Sequence, residues 1–490
     1  MKTMGYVLGL VSHMRIKVWI ALFCFSILRL PPSVYAQNLD DYLHIAGENN
    51  TELKAYFSDY LAALERVPQV GSLPDPELSM GIFLKPMERY MGNQQADIQL
   101  MQMFPWFGTL GARKDEASQM ALARYEIFQD MKNQLFYRVK DNWYQMYRLD
   151  EEIRITEENL KILQTYERLA LVRYQNAGGI GAAFGNMPDN SSTTGSARAS
   201  SGMSMGSMGG GMNTGNNPGT TGGGNTTAAM PPTGNMGSGV GMSDVLRVRI
   251  EIRGLENNLA YLYDSRRTLH IEFNLLLNRN IDETIAVADT LPDTALSIER
   301  LALLDSISKN NPMMKMLDAE EGAYRAQLKI ADLMGRPMFG AGVNYMAFSP
   351  RTGDGMSMGG ADMVMPMVSV TIPIYKKKYK AMSREAELNQ QATGQRIESM
   401  ANQLTAQWTV ALRDLDDAHR RTGLYREQTD LADQTIRLLM TGYSVSGRDF
   451  EEILRVQQQL LNYQLKQVAA VVDQHMAVAM LEMLAGAELD

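Results

Sequence analysis

The chain has 490 residues and a formal net charge of -8, and this acidic balance argues against nucleic acid as a partner. Its single cysteine, Cys24, excludes a disulfide framework and a cysteine-based metal site, and only five histidines are present beside 36 methionines. No nucleophile motif, phosphate loop or carboxylate cluster with hydrolase spacing occurs, so we expect no catalysis and no resident cofactor.

Residues 1–36 are predicted to be a cleaved signal peptide. Basic Arg15 and Lys17 precede the apolar run VWIALFCFSIL, and Val34 and Ala36 fit the small-residue rule for cleavage. A membrane anchor is the alternative, but a run of about 11 residues is short of the roughly 20 that span a bilayer. Because we find no later transmembrane helix in the sequence, a membrane location would require a β-barrel.

Two long helices are predicted in the mature chain, and a pair of strands precedes each. Residues 113–174 contain neither glycine nor proline, and residues 377–441 have a similar mix of apolar and charged positions. The predicted strands are 77–84 and 96–105 before the first helix, and 338–348 and 364–375 before the second.

The last predicted strand shows the clearest alternation. Val368 and Val370 alternate with Ser369 and Thr371, which is the period of two that gives a strand one apolar and one polar face. We therefore expect the valines to face lipid and the hydroxyl side chains to face a lumen.

The two halves of the chain align as an internal repeat. Tyr174 and Tyr443 are 269 positions apart, whereas Asp244 and Glu452 are only 208 apart. The first half therefore carries about 61 extra residues at its turn, since repeated units share one supersecondary plan. The predicted organisation is a first helix-strand-strand-helix repeat at 37–279, with strands within about 77–105, and a second repeat at 280–490, with strands within about 337–375.

Four motifs carry a resemblance to a known family. They are QMFPWFGTLGARKDEA at 102–117, RYQNAGG at 173–179, VTIPIYKKKYKAMSREAE at 370–387 and GYSVSGRDFEEILRVQQQLLNYQLKQVAA at 442–470. In this order and in duplicate, they resemble TolC-like outer-membrane efflux channels, over about residues 38–486. The methionine content discussed below is similar to that of the heavy-metal branch.

The resemblance implies a mainly α protein with a membrane β-barrel in the outer membrane and periplasm of a Gram-negative bacterium. Each protomer of a homotrimer would give four strands to a twelve-stranded barrel in outer-membrane lipid and long helices to a coiled-coil tunnel. The implied partners are a periplasmic adaptor protein and an inner-membrane proton-driven transporter. The strand count agrees, because four strands are too few to close a barrel and even small barrels take about eight.

By the same resemblance, the two helical turns form the periplasmic tip where the adaptor docks. Tyr174, Gly178, Tyr443 and Gly447 match the tip pattern and are the adaptor-contact candidates. The two glycines are also expected to end their helices, because glycine readily adopts the left-handed conformation found there.

Acidic residues beside the turns are candidates for a gate. In a trimer, Asp244, Asp449 or Glu452 would each form a ring of like charges, which selects cations and can latch a pore by pairing with arginine. A solvated helix start that favours acidic side chains is the alternative for Asp449, and we favour gating for Glu452. Arg247 and Arg455 follow three positions after Asp244 and Glu452, which argues against a constriction made of carboxylates alone.

The insert at about 178–242 contains 19 glycines and 8 methionines and is predicted to be disordered. Thioethers are soft ligands suited to Cu(I) and Ag(I), and glycine lets the backbone wrap around an ion. The candidate metal ligands are Met203, Met205, Met208 and Met212 in the insert, and Met356 and Met358 between the strands of the second hairpin.

The function predicted from these observations is a passive outer-membrane duct of a tripartite pump that exports Cu(I) or Ag(I). One alternative keeps the architecture but exports small organic toxins, and treats the insert as a neutral spacer with unimportant methionines. Another is a periplasmic coiled-coil adaptor or scaffold, which would need a compact β-rich domain between its helices.

Overall fold

The computed structural model of the protein describes residues 38–182, 240–287, 290–292, 299–353, 356–446 and 450–487. The helices in this part of the chain are α1 (Leu39–Asn49), α2 (Thr51–Gly71), α3 (Thr109–Ala182), α4 (Val240–Leu276), α5 (Arg300–Asn310), α6 (Pro312–Met334), α7 (Lys376–Ser446) and α8 (Phe450–Ala485). The strands are β1 (Glu77–Arg89), β2 (Gly92–Phe104), β3 (Met338–Ser349), β4 (Arg351–Gly353), β5 (Met356–Met358) and β6 (Met363–Thr371).

Asparagine side chains start the first two helices and the sixth. The Asn38 side chain accepts a hydrogen bond from the Leu39 backbone amide. The backbone N–H of Asn38 donates to the Asp41 carboxylate at 3.0 Å, and this bond completes a capping box. Asn50 separates α1 from α2 by accepting from the Leu53 amide, and Asn311 caps α6. These side chains satisfy amides that have no partner within their helices.

The four main strands form one antiparallel sheet in the order β1-β2-β3-β6. In the register, Val343 lies between Leu100 and Pro366, so one face carries apolar residues across three strands. The opposite face carries a row of Gln99, Asn344 and Met365. Strands occur at both predicted pairs, but β6 ends at Thr371 and not at the predicted 375.

The second hairpin contains a small addition that the sequence analysis did not predict. Strands β4 and β5 form a separate two-stranded sheet, in which Arg351 pairs with Met358. Just after β5, the Gly360 amide donates to the Met91 carbonyl oxygen at 3.0 Å, at the turn of the first hairpin. The candidate ligands Met356 and Met358 therefore lie on β5.

The chain divides into two compact units by its contacts. One consists of Met1–Ile155, Ala260–Thr435 and Gln458–Asp490, and the other, which we call the turn unit, consists of Thr156–Leu259 and Ile436–Gln457. In the first unit, the main core joins α1, α3, α4 and α8 around Tyr42, Trp143 and Phe273. Tyr42 and Phe273 meet edge to face at 5.2 Å, an arrangement that aromatic rings favour.

Among the described residues, α8 is the one helix long and apolar enough by composition to cross a membrane. The sequence analysis did not anticipate this property. Half of its most apolar 18-residue window is buried inside the protein, and Val472 and Leu481 belong to two different core clusters. The apolar composition of α8 is thus explained by its packing as a core helix.

Candidate functional site

The turn unit contains the described residues of both predicted helical turns. Its core is built by the end of α3, the start of α4, the end of α7 and the start of α8. The buried members are Leu163, Tyr166, Ala170, Val245, Val248, Ile252, Tyr443, Phe450, Ile453 and Leu454. Because apolar burial stabilises such a cluster in proportion to area, this core holds the four helix ends together.

A hydrogen-bonded polar group lies beside this core. The Gln457 amide donates to Asn159 Oδ1 at 2.8 Å, and the Tyr166 hydroxyl donates to Gln457 Oε1 at 3.3 Å. All three side chains are buried. Sequence reasoning missed this network, because residues 291 to 298 positions apart leave no local signal of their pairing. A buried polar group of this kind fixes which helix faces meet, since a shifted packing would leave its members without partners.

The two candidate tyrosines differ in their surroundings, although the sequence repeat equates them. The Tyr174 side chain is 39% exposed, whereas Tyr443 is 3% exposed and contacts the Phe450 ring at 5.1 Å. The Arg173 guanidinium lies 4.5 Å from the centre of the Tyr443 ring and donates to the Tyr443 carbonyl oxygen at 2.8 Å. In the protomer, the Tyr443 ring is therefore packed inside the turn unit, while Tyr174 is accessible, and the adaptor contact remains a prediction for both.

The candidate glycines lie at or beyond the limits of the described helices. Helix α3 continues to Ala182, so it does not end at Gly178 as the sequence analysis expected. A single glycine inside a helix costs only about 1 kcal/mol relative to alanine, which a long helix tolerates. Gly447 and Asp449 lie outside the described residues, between the end of α7 and the start of α8.

Asp244 of the gate candidates is buried in the turn unit. Burial is the largest influence and raises the pKa of its carboxyl group, while Arg247 and Arg173 act in the opposite direction. Glu451 adds a smaller upward contribution to the same pKa. Asp244 is therefore held near arginines rather than presented to solvent, which does not favour a freely exposed carboxylate ring at this position.

Two described glutamates at the start of α8 are paired with arginines inside the protomer. Glu452 pairs with Arg455 one turn later in α8, and Glu451 pairs with Arg247 from α4. The hydrogen bond that Arg455 donates to the Glu452 carboxylate raises the pKa of the Arg455 guanidinium. These arginines neutralise the acidic residues at the start of α8, in line with the expectation that carboxylates alone do not form the constriction.

Replacing Asp244 should change how the turn unit responds to pH. The folded pKa of Asp244 is above the ordinary value of 3.8, so its contribution favours folding below that value and is lost as pH rises through the folded pKa. We expect Asp244→Asn to be more resistant to limited proteolysis at residues 240–260 than the wild type at pH 7.5. Both should be equally resistant at pH 3.5. A variant that is less resistant at pH 7.5 would contradict this assignment.

The candidate methionine ligands are divided between two parts of the chain. Met203, Met205, Met208 and Met212 lie outside the described residues, and Met356 and Met358 occupy β5. Across the described ranges, no group of three or more His, Cys, Asp or Glu residues is placed to hold a metal ion.

No protein-family model and no curated protein matches the chain. Several solved structures do match. The outer membrane protein VceC of Vibrio cholerae has a TM-score of 0.65 at 14% identity, over 92% of this chain and 97% of that chain. The Neisseria gonorrhoeae outer membrane channel MtrE, in its open state, has a TM-score of 0.63 at 14% identity, over 93% and 90%. CusC, described for its transmembrane channel formation, has a TM-score of 0.65 at 13% identity, over 93% of both chains.

These structures are TolC-like outer-membrane channels and not enzymes. Their likeness covers more than nine-tenths of this chain. At 13 to 14% identity the likeness establishes the fold, and this is the fold expected from the four sequence motifs.

Proposed function

We propose that this protein is the outer-membrane channel subunit of a tripartite efflux pump, acting as a passive duct without enzymatic activity. The observation that carries this proposal is the channel fold, which extends over 92% of the chain in the match to VceC. The proposed partners are a periplasmic adaptor and an inner-membrane proton-driven transporter. A leader at residues 1–36 would direct the chain to the periplasm and outer membrane of a Gram-negative cell.

The open sheet supports assembly into a homotrimer. In the described part of the chain, β1 and β6 each pair on one side only, so both edges of the sheet are free. Free edges are unstable in lipid, because backbone groups there have no water to bind. Three copies of a four-stranded sheet supply the twelve strands of the proposed closed barrel.

The apolar face of the sheet supports its placement in lipid. The exposed apolar side chains on this face come from all four strands: Leu78, Met80, Ile82, Leu100, Phe104, Phe339, Val343, Tyr345, Val364, Val368 and Val370. A continuous face of this kind on a water-soluble protein would need a covering partner. We propose that lipid covers it, with Ser369 and Thr371 on the side of the lumen.

The order of elements supports the proposed internal repeat. Two helices, two main strands and two long helices occur in succession as α1 to α4, and again as α5 to α8. We propose that the insert between α3 and α4 distinguishes the first repeat from the second.

The proposed roles at the tip follow from exposure and charge. Tyr174 is the accessible adaptor contact, and Gly178 and Gly447 are proposed to lie beside the same docking surface. We propose that the Glu452–Arg455 pair forms the gate when three protomers bring its charges together, with Asp449 and Asp244 next to it. The transported ion would then meet paired charges at the narrow end of the duct.

We propose Cu(I) or Ag(I) as the exported substrate, with the insert acting as a metal-binding arm near the tip. The support is compositional, since Met203, Met205, Met208 and Met212 are thioethers in a stretch with almost no aliphatic side chains. Met356 and Met358 would offer a second group on β5. The alternative of an organic-toxin duct requires an inert insert.

The assembly is tested by electrophoresis of outer membranes with and without heating. The proposal expects the protein in the outer-membrane fraction as a heat-dissociable trimer. A monomeric protein found only in the soluble periplasmic fraction would instead favour the adaptor or scaffold alternative. The structure gives that alternative no separate compact β-rich domain among the described residues.

The substrate is tested by replacing the four insert methionines with leucine. Cells that lack the gene should become sensitive to silver and accumulate it, and the wild-type gene should restore resistance. The variant with Met203→Leu, Met205→Leu, Met208→Leu and Met212→Leu should restore less resistance, because leucine keeps the apolar volume but has no sulfur. Equal resistance, together with sensitivity of the deletion strain to organic toxins, would support the toxin duct.

A further inference from the structure

Two methionines and a serine meet on the polar face of the main sheet. Met101 and Met103 are alternate residues of β2, so their side chains share one face. Ser369 Oγ of β6 lies 3.7 Å from Met101 Sδ and 3.8 Å from Met103 Sδ, although a whole strand separates β6 from β2. The three side chains reach each other across β3.

Glycines in β3 make this approach possible. Gly340 lies between Met103 and Ser369 in the register, and a Cβ atom at Gly340 would meet Ser369 Oγ and lie 2.7 Å from Met103 Sδ and 3.2 Å from Met101 Sδ. A Cβ at Gly342 would likewise lie 3.1 Å from Met101 Sδ. The contacts of a Gly340 Cβ with Ser369 Oγ and Met103 Sδ, and of a Gly342 Cβ with the Leu100 carbonyl oxygen at 2.6 Å, are too short for a carbon atom. Glycine at these positions therefore keeps open the point on which the sulfur and oxygen atoms converge.

The same face provides further uncharged side chains near this point whose sulfur or oxygen atoms could bind a cation. Met367 lies opposite Gly342, on the side away from Met101, and long methionine side chains reach across a strand spacing of about 4.8 Å. One row further, Asn344 is 6% exposed, and its Oδ1 atom has no hydrogen-bond partner. A buried acceptor without a partner is costly, and a bound cation would offset that cost.

Ordinary packing does not explain why these sulfur atoms are on this face. Methionine commonly fills gaps in apolar cores, but the neighbours of Met101 in the register include Glu77, and the next row contains Ser79 and Gln99. The apolar face of the sheet lies on the opposite side, where Met80 pairs with Ile98. The methionines thus lie among polar residues, on the face where a closed barrel would have its lumen.

We propose that Met101, Met103 and Ser369, with Met367 beside them, form a binding site for a soft monovalent cation, Cu(I) or Ag(I), on the polar face of the sheet. Two thioethers are suited to a soft ion, and the absence of a charged ligand from the central group leaves binding weak enough for release. The role of this site rests on the proposed function. The site would bind the exported metal transiently at the barrel wall.

The test measures silver binding by the purified full-length trimer in detergent, using silver nitrate in chloride-free buffer. The parent is the full-length chain with Met203, Met205, Met208 and Met212 replaced by leucine, so that these candidate ligands do not contribute. In this parent, the double substitution Met101→Leu and Met103→Leu should weaken binding at least about tenfold, equivalent to about 1.4 kcal/mol. X-ray absorption at the silver edge should show sulfur neighbours in the parent and fewer in the double variant.

The matched control is Met80→Leu, which removes a sulfur atom from the opposite face and should leave silver affinity unchanged. Trimer stability to heat verifies folding, and the single substitutions Met101→Leu and Met103→Leu replace the double variant if it does not assemble. Unchanged silver affinity in these variants would overturn the site. Failure of the proposed function would give a different result. Cells that lack the gene would then keep normal silver resistance, while the purified protein would still bind silver at Met101 and Met103.

Discussion

Val368→Arg should prevent stable assembly of the protein in the outer membrane. Val368 is 82% exposed on the apolar face of the sheet, where an arginine would enter the hydrocarbon layer of the proposed barrel. Arginine on the lipid face costs roughly 2–4 kcal/mol near the bilayer midplane, and a trimer carries this cost in each of its protomers. Heated and unheated samples of outer membranes should show little trimer and more degraded chain.

The control for Val368→Arg is Gln99→Arg on the opposite face of the same sheet. Gln99 lies between Ser79 and Asn344, and an arginine there would face the aqueous lumen. We expect the trimer to persist with altered conductance in planar bilayers. Equal tolerance of both substitutions would show that lipid does not cover the face of Val368, and the membrane placement would be wrong.

Ile453→Ala should loosen the turn unit without dissociating the barrel. Ile453 is fully buried in the core that joins the four helix ends, so the loss of its side chain leaves a cavity. Such truncations cost about 2–5 kcal/mol. Hydrogen exchange should become faster at the end of α7 and the start of α8, and the purified channel should show a higher basal conductance, because the turns next to the proposed gate are less well fixed.

The matched comparison for Ile453→Ala is Ile453→Val at the same position, which should cost about 0.5–1.5 kcal/mol and have a smaller effect on both measurements. The heat-dissociable trimer should remain in both variants. If Ile453→Ala accelerated exchange in the strands as much as in the turns, the turn unit would not be an independent element of stability.

The sequence was sufficient to predict the strands, because their alternation is a local property. The Val368–Thr371 segment alone separates the apolar face of β6 from its polar face, and the structure confirms this alternation. The long helices were equally predictable, because residues 113–174 contain neither glycine nor proline and residues 377–441 have a similar composition. In the structure these helices have 74 and 71 residues, far more than ordinary globular helices.

Long-range packing limited what could be predicted at the candidate site. The repeat aligned Tyr443 with Tyr174, but only the fold shows that the Tyr443 ring is buried against Phe450 and beneath Arg173. The end of α3 was misplaced, because the effect of Gly178 on the backbone depends on the rest of the helix.

The methionine group on the sheet also depended on distant parts of the chain. Met101 and Met103 lie in one predicted strand, 96–105, and Met367 lies in another, 364–375, far away in the sequence. Their association requires β3 to lie between β2 and β6, with glycine at positions 340 and 342. A search for alternating methionines opposite alternating glycines would have found this signal.

The connectivity of the main sheet determines the order in which it can fold. The β1–β2 hairpin closes through a short turn, whereas β2 pairs with β3 between residues such as Asn93 and Ser349, which are 256 positions apart. Loop-closure entropy makes such distant pairings slow to form. The first hairpin must therefore wait, with β2 unpaired on one side, until the second half of the chain has been synthesised. During that interval the unpaired edge of β2 is open to pairing with strands of other chains.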